Sequence, residues 1–325
     1  MSAESSHRAG AAPSRTGLLE KILVPLDGSE FGEQALPVAR SLAGLAGPDT
    51  EIHLVHVHVS VPIFIEGIAT VNPELERDRE ELEQEYVGTA ARALSEEWSG
   101  TVRSALLHGP VDEALEEYAD TQHIGLVLMS THGRTGLKRA WLGSVTDRVI
   151  RRTGRPVLTF RPSEDPDAAN EILREIGEIL IPLDGSKRSE TILPHAETLA
   201  RLSGARITLL RVLPSYHSIG HPSQVQSARE EETVMARLVE DSEAYLADLE
   251  TRVRERGFEV ARSVEPGADP AAAILEVASS GSATLIAMAT HGRGGMSRAF
   301  LGSVTDKVVR AAPCPLLLFR PDHSV

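Results

Sequence analysis

The sequence predicts an α/β protein built from two tandem doubly wound domains, each a parallel sheet flanked by helices. The first observation is an internal repeat: Lys21-Ile-Leu-Val-Pro-Leu-Asp-Gly-Ser29 returns as Glu178-Ile-Leu-Ile-Pro-Leu-Asp-Gly-Ser186. The copies are displaced by roughly 160 residues, which is far longer than a solenoid period and long enough for a whole domain. The second observation is that short apolar runs alternate with longer helical patterns, which is typical of parallel sheets covered by helices.

The first half contains five apolar runs that read as strands and four longer patterns that read as helices. The predicted strands lie at about residues 21–26, 51–59, 102–107, 125–130 and 156–160. The predicted helices lie at roughly 30–46, 73–99, 111–121 and 144–152. The run from Ile124 to Met129 is apolar without alternation, as expected when both faces of a sheet are covered.

The second half repeats this order of elements. Its predicted strands lie near 178–183, 206–213, 259–264, 284–289 and 315–319, and a long helix rich in Glu and Arg is predicted at about 222–256. The polar, proline-containing segment from Pro162 to Asn170 is typical of a linker. We therefore expect a disordered tail at 1–18, a first domain at 19–162, a linker at 163–176 and a second domain at 177–322.

Composition and charge narrow the class of protein. The hydrophobic fraction of 41% and the charged fraction of 25% are ordinary for a globular protein. A net charge of −14 argues against nucleic acid as a partner, because Lys and Arg must neutralise the phosphates. A lone cysteine, Cys314, excludes a disulfide framework, and no apolar stretch reaches the roughly 20 residues of a membrane span. These features predict a cytoplasmic protein with no membrane partner.

Two repeated motifs fall where parallel sheets bind ligands, beyond the carboxyl ends of the strands. Asp27 and Asp184 follow the first strand of each half, and a glycine-containing loop runs from the fourth strand towards a helix that begins near Ser144 or Ser303. Backbone N–H groups at a helix N-terminus suit phosphate. The alternative is a capping box with no ligand, formed by Ser144 with Asp147 and by Ser303 with Asp306. The recurrence of both motifs together favours the phosphate interpretation.

The same residues resemble the universal stress protein family. The resemblance rests on Val-Pro-Leu-Asp-Gly-Ser after the first strand, on the Thr-His-Gly-Arg loop, and on the nine residues between Gly133 and Gly143-Ser144. It implies a five-stranded parallel sheet of order 3-2-1-4-5, with ATP, alone or with Mg²⁺, bound through Gly-x2-Gly-x9-Gly-Ser/Thr. By this resemblance Pro25, Asp27 and Val57 would line the adenosine, and Ser130, Gly133, Gly143, Ser144 and Val145 would surround the phosphates. The matching positions in the second half are Pro182, Asp184, Val212, Ala289, Gly292, Gly302, Ser303 and Val304.

Both halves depart from that pattern at its first glycine, which is Ser130 in one half and Ala289 in the other. If this position needs a positive φ or a very close approach of the backbone, a Cβ there costs on the order of 1 kcal/mol. The hydroxyl of Ser130 offers a donor in partial compensation, whereas Ala289 has none. The first site is therefore predicted to bind nucleotide better than the second.

Other polar residues near these loops give weaker signals. Positive charge surrounds the loops at Arg134, Lys138, Arg139, Arg293 and Arg298, where it either assists phosphate capture or is simply solvated. His56 and His58 lie on one face of the second strand, but the sequence shows no ligand spacing to make a metal site of them. His132 and His291 fit loop packing better than base catalysis, because no nucleophile is spaced to pair with them.

The leading hypothesis is an ATP-binding regulatory protein of the stress response, and no catalytic residue is assigned. The sequence has no Gly-x-x-x-x-Gly-Lys-Ser/Thr loop, kinase signature or Gly-x-Ser-x-Gly elbow. One alternative is an interaction or oligomerisation module of the same fold that binds no nucleotide. Another is slow ATP hydrolysis or autophosphorylation, for which the sequence singles out no base. The resemblance also implies that the halves pair through their fifth strands as an intramolecular pseudo-dimer, with a further homodimer as an option.

Overall fold

The computed structural model describes most of both halves, namely residues 17–60, 63–65, 68–70, 72–131, 143–163, 165, 176–214, 228–267, 269–290 and 301–321.

The first half contains seven strands and five helices among the described residues. The strands are β1 Lys21–Pro25, β2 Glu51–His58, β3 Ile63–Ile65, β4 Ile68–Thr70, β5 Thr101–His108, β6 Leu126–Ser130 and β7 Val157–Phe160. The helices are α1 Glu30–Glu33, α2 Ala35–Ala46, α3 Pro73–Glu97, α4 Val111–Thr121 and α5 Ser144–Arg152.

The described part of the second half repeats this plan without the short β3–β4 pair. Its strands are β8 Glu178–Pro182, β9 Arg206–Pro214, β10 Val260–Gly267, β11 Leu285–Ala289 and β12 Leu316–Phe319. Its helices are α6 Lys187–Glu190, α7 Leu193–Ser203, α8 Ala228–Glu255, α9 Pro270–Ser280 and α10 Ser303–Ala311.

One continuous ten-stranded sheet joins the two halves, in the order β10-β9-β8-β11-β12-β7-β6-β1-β2-β5. Counted within each half, the five main strands follow the order 3-2-1-4-5, and they are parallel. At the centre of the sheet β12 pairs antiparallel with β7, so that Leu317 lies opposite Leu158. This seam confirms the expected pseudo-dimer, and it pairs two strands that would otherwise be bare edges.

Helices cover both faces of this sheet, which explains the unbroken apolar strands. In β1, Ile22 and Val24 pack towards α2 and α3, whereas Leu23 packs into a second buried cluster beneath α4 and α5. The helix starts are fixed locally: Asn72 accepts hydrogen bonds from the N–H groups of Glu74 and Leu75 ahead of α3. No helix among the described residues is both long and apolar enough to cross a membrane.

Several boundaries differ from the sequence predictions. The helix predicted at 30–46 is two helices, α1 and α2, because Pro37 has no N–H to donate to the carbonyl of Glu33. Gln34 lies at the break, and its side chain exchanges hydrogen bonds with the backbone N–H and C=O of Ser163. Leu18 is 5% exposed and belongs to the core, so the fold begins inside the predicted tail. At the far end of the predicted linker, Ile176 is also buried in the core. Residues 222–227 of the predicted long helix lie outside the described residues.

Candidate functional site

The carboxyl ends of three strands and the start of α5 meet at one edge of the first-half sheet. β1 pairs with β2 on one side and with β6 on the other, so the strand order reverses at β1. After β6, the N–H of Gly143 donates to the carbonyl of Thr131 at 2.8 Å, and the hydroxyl of Thr146 donates to the carbonyl of Ser130 at 3.1 Å. These bonds fix the N-terminus of α5 beside the end of β6, at the kind of crevice where doubly wound sheets bind ligands.

The N-terminus of α5 is not a capping box. Gly143 is the N-cap and Ser144 is the first helical residue, with no side-chain cap among the described residues. The carboxylate of Asp147 instead accepts two hydrogen bonds of 2.8 Å from Arg151, one turn later. The capping-box alternative is therefore wrong for Ser144 and Asp147. An exposed helix start without a side-chain cap offers backbone donors and the positive end of the dipole to an anion.

The turn after β1 presents Asp27 at the same edge. Its Oδ1 accepts hydrogen bonds from the N–H of Ser29 at 3.0 Å and from the hydroxyl of Ser29 at 2.6 Å, while Ser29 caps α1. Gly28 at the turn has a φ of 77°, a conformation that favours glycine. A Cβ at Gly32 would lie 2.6 Å from Asp27 Oδ1, so Gly32 leaves space that sequence reasoning did not identify.

Two valines form an apolar wall beside these polar groups. Val57 at the end of β2 and Val145 in the first turn of α5 are half-buried, and both pack against the buried cluster beneath α4 and α5. An apolar surface next to a carboxylate and the backbone donors of a helix start suits a ligand with a flat base and an anionic end. Seven of the predicted site residues lie at this edge: Pro25, Asp27, Val57, Ser130, Gly143, Ser144 and Val145. Gly133 lies outside the described residues.

The second half repeats the arrangement at the ends of β8, β9 and β11. Asp184 Oδ1 accepts from the N–H and hydroxyl of Ser186, Val212 and Val304 are half-buried, and Pro182 and Ala289 end their strands. Gly302 is the N-cap of α10, so the capping box of Ser303 with Asp306 is also wrong. The two N-cap glycines differ: φ is −55° at Gly143 but 84° at Gly302.

Ser130 and Ala289 do not have the positive φ that was considered for the first glycine position. Each is the last residue of an extended strand, and each pairs with a phenylalanine of the neighbouring strand, Phe160 or Phe319. The only non-glycine residue with positive φ in the described chain is His123. A Cβ at Ser130 or Ala289 therefore causes no strain in φ, and that reason for weak binding is wrong.

The remaining loop residues cannot be placed. Gly292 lies outside the described residues, as do the candidates Arg134, Lys138, Arg139, Arg293, Arg298, His132 and His291.

A different asymmetry separates the two sites. Arg211 in β9 occupies the position that His56 occupies in β2. Each follows the residue that pairs with the proline at the end of the first strand: Val55 pairs with Pro25, and Leu210 pairs with Pro182. A Cβ on Gly185 would collide with the Arg211 guanidinium, so this cation lies directly against the turn that carries Asp184. The first half has no such permanent charge at this position.

The two histidines of β2 make contacts that the sequence did not reveal. The carboxylates of Glu76 and Glu83 in α3 reach the ring nitrogens of His58 at 2.7 and 2.6 Å. His56 Nδ1 donates to the carbonyl of Leu26 at 2.7 Å. Among the described residues, no group of three or more His, Cys, Asp or Glu side chains could hold a metal ion. This cluster depends on how α3 packs against β2, which the sequence alone does not specify.

Comparison with known proteins agrees with this architecture. A profile of the universal stress protein family matches residues 19–161 and 175–320. A universal stress protein of Mycolicibacterium smegmatis is 28% identical over 305 residues, covering 92% of this chain and 97% of its own. Universal stress protein MJ0531 of Methanocaldococcus jannaschii is 31% identical over 144 residues, which is 44% of this chain and 83% of the relative.

A solved structure also matches both halves at once. The crystal structure of a universal stress protein from Archaeoglobus fulgidus aligns with a TM-score of 0.67 at 20% identity, covering 94% of this chain and 99% of the other. This likeness concerns the fold. With both halves matched by the family profile, the chain belongs to the universal stress protein family.

Proposed function

We propose that the first half binds ATP, with the triphosphate at the start of α5 and the adenosine between Asp27 and Val57. The observation that carries this proposal is the helix start at Gly143 and Ser144, which no described side chain caps and which lies beside the carboxyl ends of β1 and β6. Backbone donors and the helix dipole favour phosphate there even though the chain is acidic overall. Mg²⁺ would enter only as the counter-ion of the triphosphate.

The second site is proposed to bind ATP more weakly or not at all. Arg211 lies against the Asp184–Gly185 turn, so its guanidinium occupies space beside this turn that a ligand would otherwise enter. Its Nε donates to the hydroxyl of Ser242 at 3.0 Å, and its guanidinium carbon lies 5.5 Å from the centre of the Tyr245 ring. These contacts fix the cation, so a ligand would have to compete with it.

The proposed role is that of a cytoplasmic nucleotide-binding regulator of the stress response, not a fast enzyme. The described residues at the first site offer donors, a carboxylate and apolar surface, which bind and orient a nucleotide. Asp27 already accepts two hydrogen bonds from Ser29, which hold its carboxylate in place.

Calorimetry with ATP on two matched variants tests this proposal. Ser144→Asp adds a carboxylate to an exposed residue in the first turn of α5, where negative charge favours the helix dipole. The fold should persist, but affinity for ATP should fall on the order of tenfold or more, because two like charges about 4 Å apart repel by about 4 kcal/mol at a dielectric constant of about 20. Ser303→Asp makes the same change at α10 and should leave the tighter site unaffected.

Equal weakening by the two variants would contradict the ranking of the sites. Unchanged affinity in Ser144→Asp would contradict α5 as the phosphate site. A complete lack of ATP binding by the parent protein would instead favour the interaction module. Mass spectrometry of small molecules released from freshly purified, denatured protein would identify a nucleotide that copurifies.

A further inference from the structure

The carboxyl end of β2 extends beyond its neighbour in the sheet. The pairing of β1 with β2 ends at Pro25 and Val55, and one more backbone hydrogen bond joins Leu26 to Val55. Beyond Val55, the last three residues of β2 pair only with β5, which is the outermost strand of the sheet. Val57, which is proposed to contact the adenosine, lies in this extension.

Two histidine side chains hold the extension from the α3 side. His56 bonds to the carbonyl of Leu26, as described above. His58 is 2% exposed, and its two ring nitrogens lie 2.6 Å from Glu83 Oε2 and 2.7 Å from Glu76 Oε2. Since ionised carboxylates only accept hydrogen bonds, both ring nitrogens must donate, which requires the imidazolium form. His58 thus bridges β2 to two turns of α3.

The charges around His58 favour its protonated form. Burial alone lowers the pKa of His58, but the hydrogen bonds and charges of Glu83 and Glu76 outweigh burial and raise the pKa above its ordinary value. For Glu76 burial acts in the opposite direction and raises the pKa, but hydrogen bonds from His58 and Ser60 outweigh burial, so the pKa of Glu76 is lowered overall. The charged and titratable groups around the ring are Glu76, Arg79, Glu80 and Glu83 on α3, His56 on β2 and His108 on β5.

The second half holds the corresponding extension without a titratable group. In the same register, Arg211 replaces His56 and Leu213 replaces His58. Leu213 is 2% exposed, so an apolar side chain fills the space at this position. The guanidinium of Arg211 stays charged at every pH at which the protein is folded. Only the first half therefore depends on a histidine.

We propose that His58, as an imidazolium bonded to Glu76 and Glu83, is a positioning residue that holds Val57 in the first-half nucleotide site. Loss of its proton removes one of the two hydrogen bonds to α3 and loosens the end of β2. This inference rests on the proposed ATP site and adds a regulation to it: binding in the first half weakens as pH rises.

The direction follows from the raised pKa of His58. The bridge is fully present below the ordinary pKa of about 6.5 and is lost as pH rises through the higher value in the folded protein. ATP affinity of the parent protein should therefore fall from about pH 6.5 to about pH 9, on the order of threefold to tenfold, since tenfold corresponds to one pKa unit of linkage.

Calorimetry with ATP across this pH range on the parent and on His58→Leu tests the inference. The leucine copies Leu213 of the second half. The variant should lose most of the pH dependence, whereas titration of the ATP phosphates affects both proteins equally. Glu76→Gln provides a second variant of nearly unchanged volume. It removes one carboxylate, so the midpoint of the affinity profile should move to lower pH without the profile disappearing.

The outcomes separate this inference from the proposed function. ATP binding with the same pH profile in the parent and in both variants overturns the role of His58 and leaves the ATP site in place. ATP binding at no pH overturns both. Should His58→Leu fail to fold, the shift in Glu76→Gln still decides, since a purely structural role for Glu76 would weaken binding without moving the midpoint.

Discussion

The buried histidine of the second half should make the protein sensitive to acid. His195 in α7 is 7% exposed, and its ring centre lies 4.5 Å from that of Phe319 in β12. Burial lowers the pKa of His195 to about 4, well below the ordinary 6.5. As pH falls below about 6.5, the unfolded chain takes up a proton that the folded chain excludes, so the free energy of unfolding decreases.

The size of this effect follows from the two pKa values. The difference between about 6.5 and about 4 corresponds to about 3.4 kcal/mol once pH is well below the lower value, and about 2 kcal/mol of it is lost by about pH 5. The first half offers the matched substitution, because Val38 occupies the equivalent position in α2 and is 1% exposed. His195→Val should therefore remove about 2 kcal/mol of the stability difference between about pH 7.5 and about pH 5.

Urea denaturation followed by circular dichroism at both pH values measures this difference. The reciprocal Val38→His variant serves as the control: it should lower stability more at about pH 5 than at about pH 7.5. If the parent and His195→Val lose the same stability on acidification, the account of His195 as a buried neutral side chain is wrong.

Three further predictions use pairs of residues or counterparts within the repeat. Gly302→Ala should destabilise more than Gly143→Ala, by about 1 kcal/mol or more, because φ is 84° at Gly302 and an added Cβ would lie 2.8 Å from the Thr290 carbonyl; thermal denaturation compares them. Leu158→Ala and Leu317→Ala should each cost about 2–5 kcal/mol in urea denaturation, and their effects should not add, since the two residues face each other across the central seam. Ala289→Gly should leave ATP binding in the second half unchanged, because Ala289 is an extended strand residue whose Cβ causes no strain, while costing about 0.5–1 kcal/mol of stability; calorimetry and denaturation measure the two separately.

The repeat and the apolar runs were sufficient to predict the domain architecture. A sheet covered on both faces needs strands without alternation, and runs such as Leu126–Ser130 supply them. The break between α1 and α2 was predictable from a local signal, because Pro37 has no N–H to donate to the carbonyl of Glu33. The second half breaks in the same way, between α6 and α7, ahead of Pro194.

The residues of the candidate site that lie at strand ends could be predicted from the sequence. The contacts that depend on packing between helices and strands could not. Asp27 and Gly143 could be placed because parallel strands all end at one edge. The capping-box alternative for Ser144 and Asp147, which the sequence could not exclude, is wrong because Gly143 is the N-cap and Asp147 pairs with Arg151. The contacts of His58 depend on where α3 crosses β2, which no pattern in either segment specifies.

A crystal structure of the full chain grown with excess ATP would show whether ATP binds in the first half with its phosphates at the start of α5. We expect electron density for a triphosphate beside Gly143 and Ser144 and for adenosine between Asp27 and Val57, with the second site empty or weaker. Density for ATP elsewhere, or no ATP at saturating concentration, would contradict this placement.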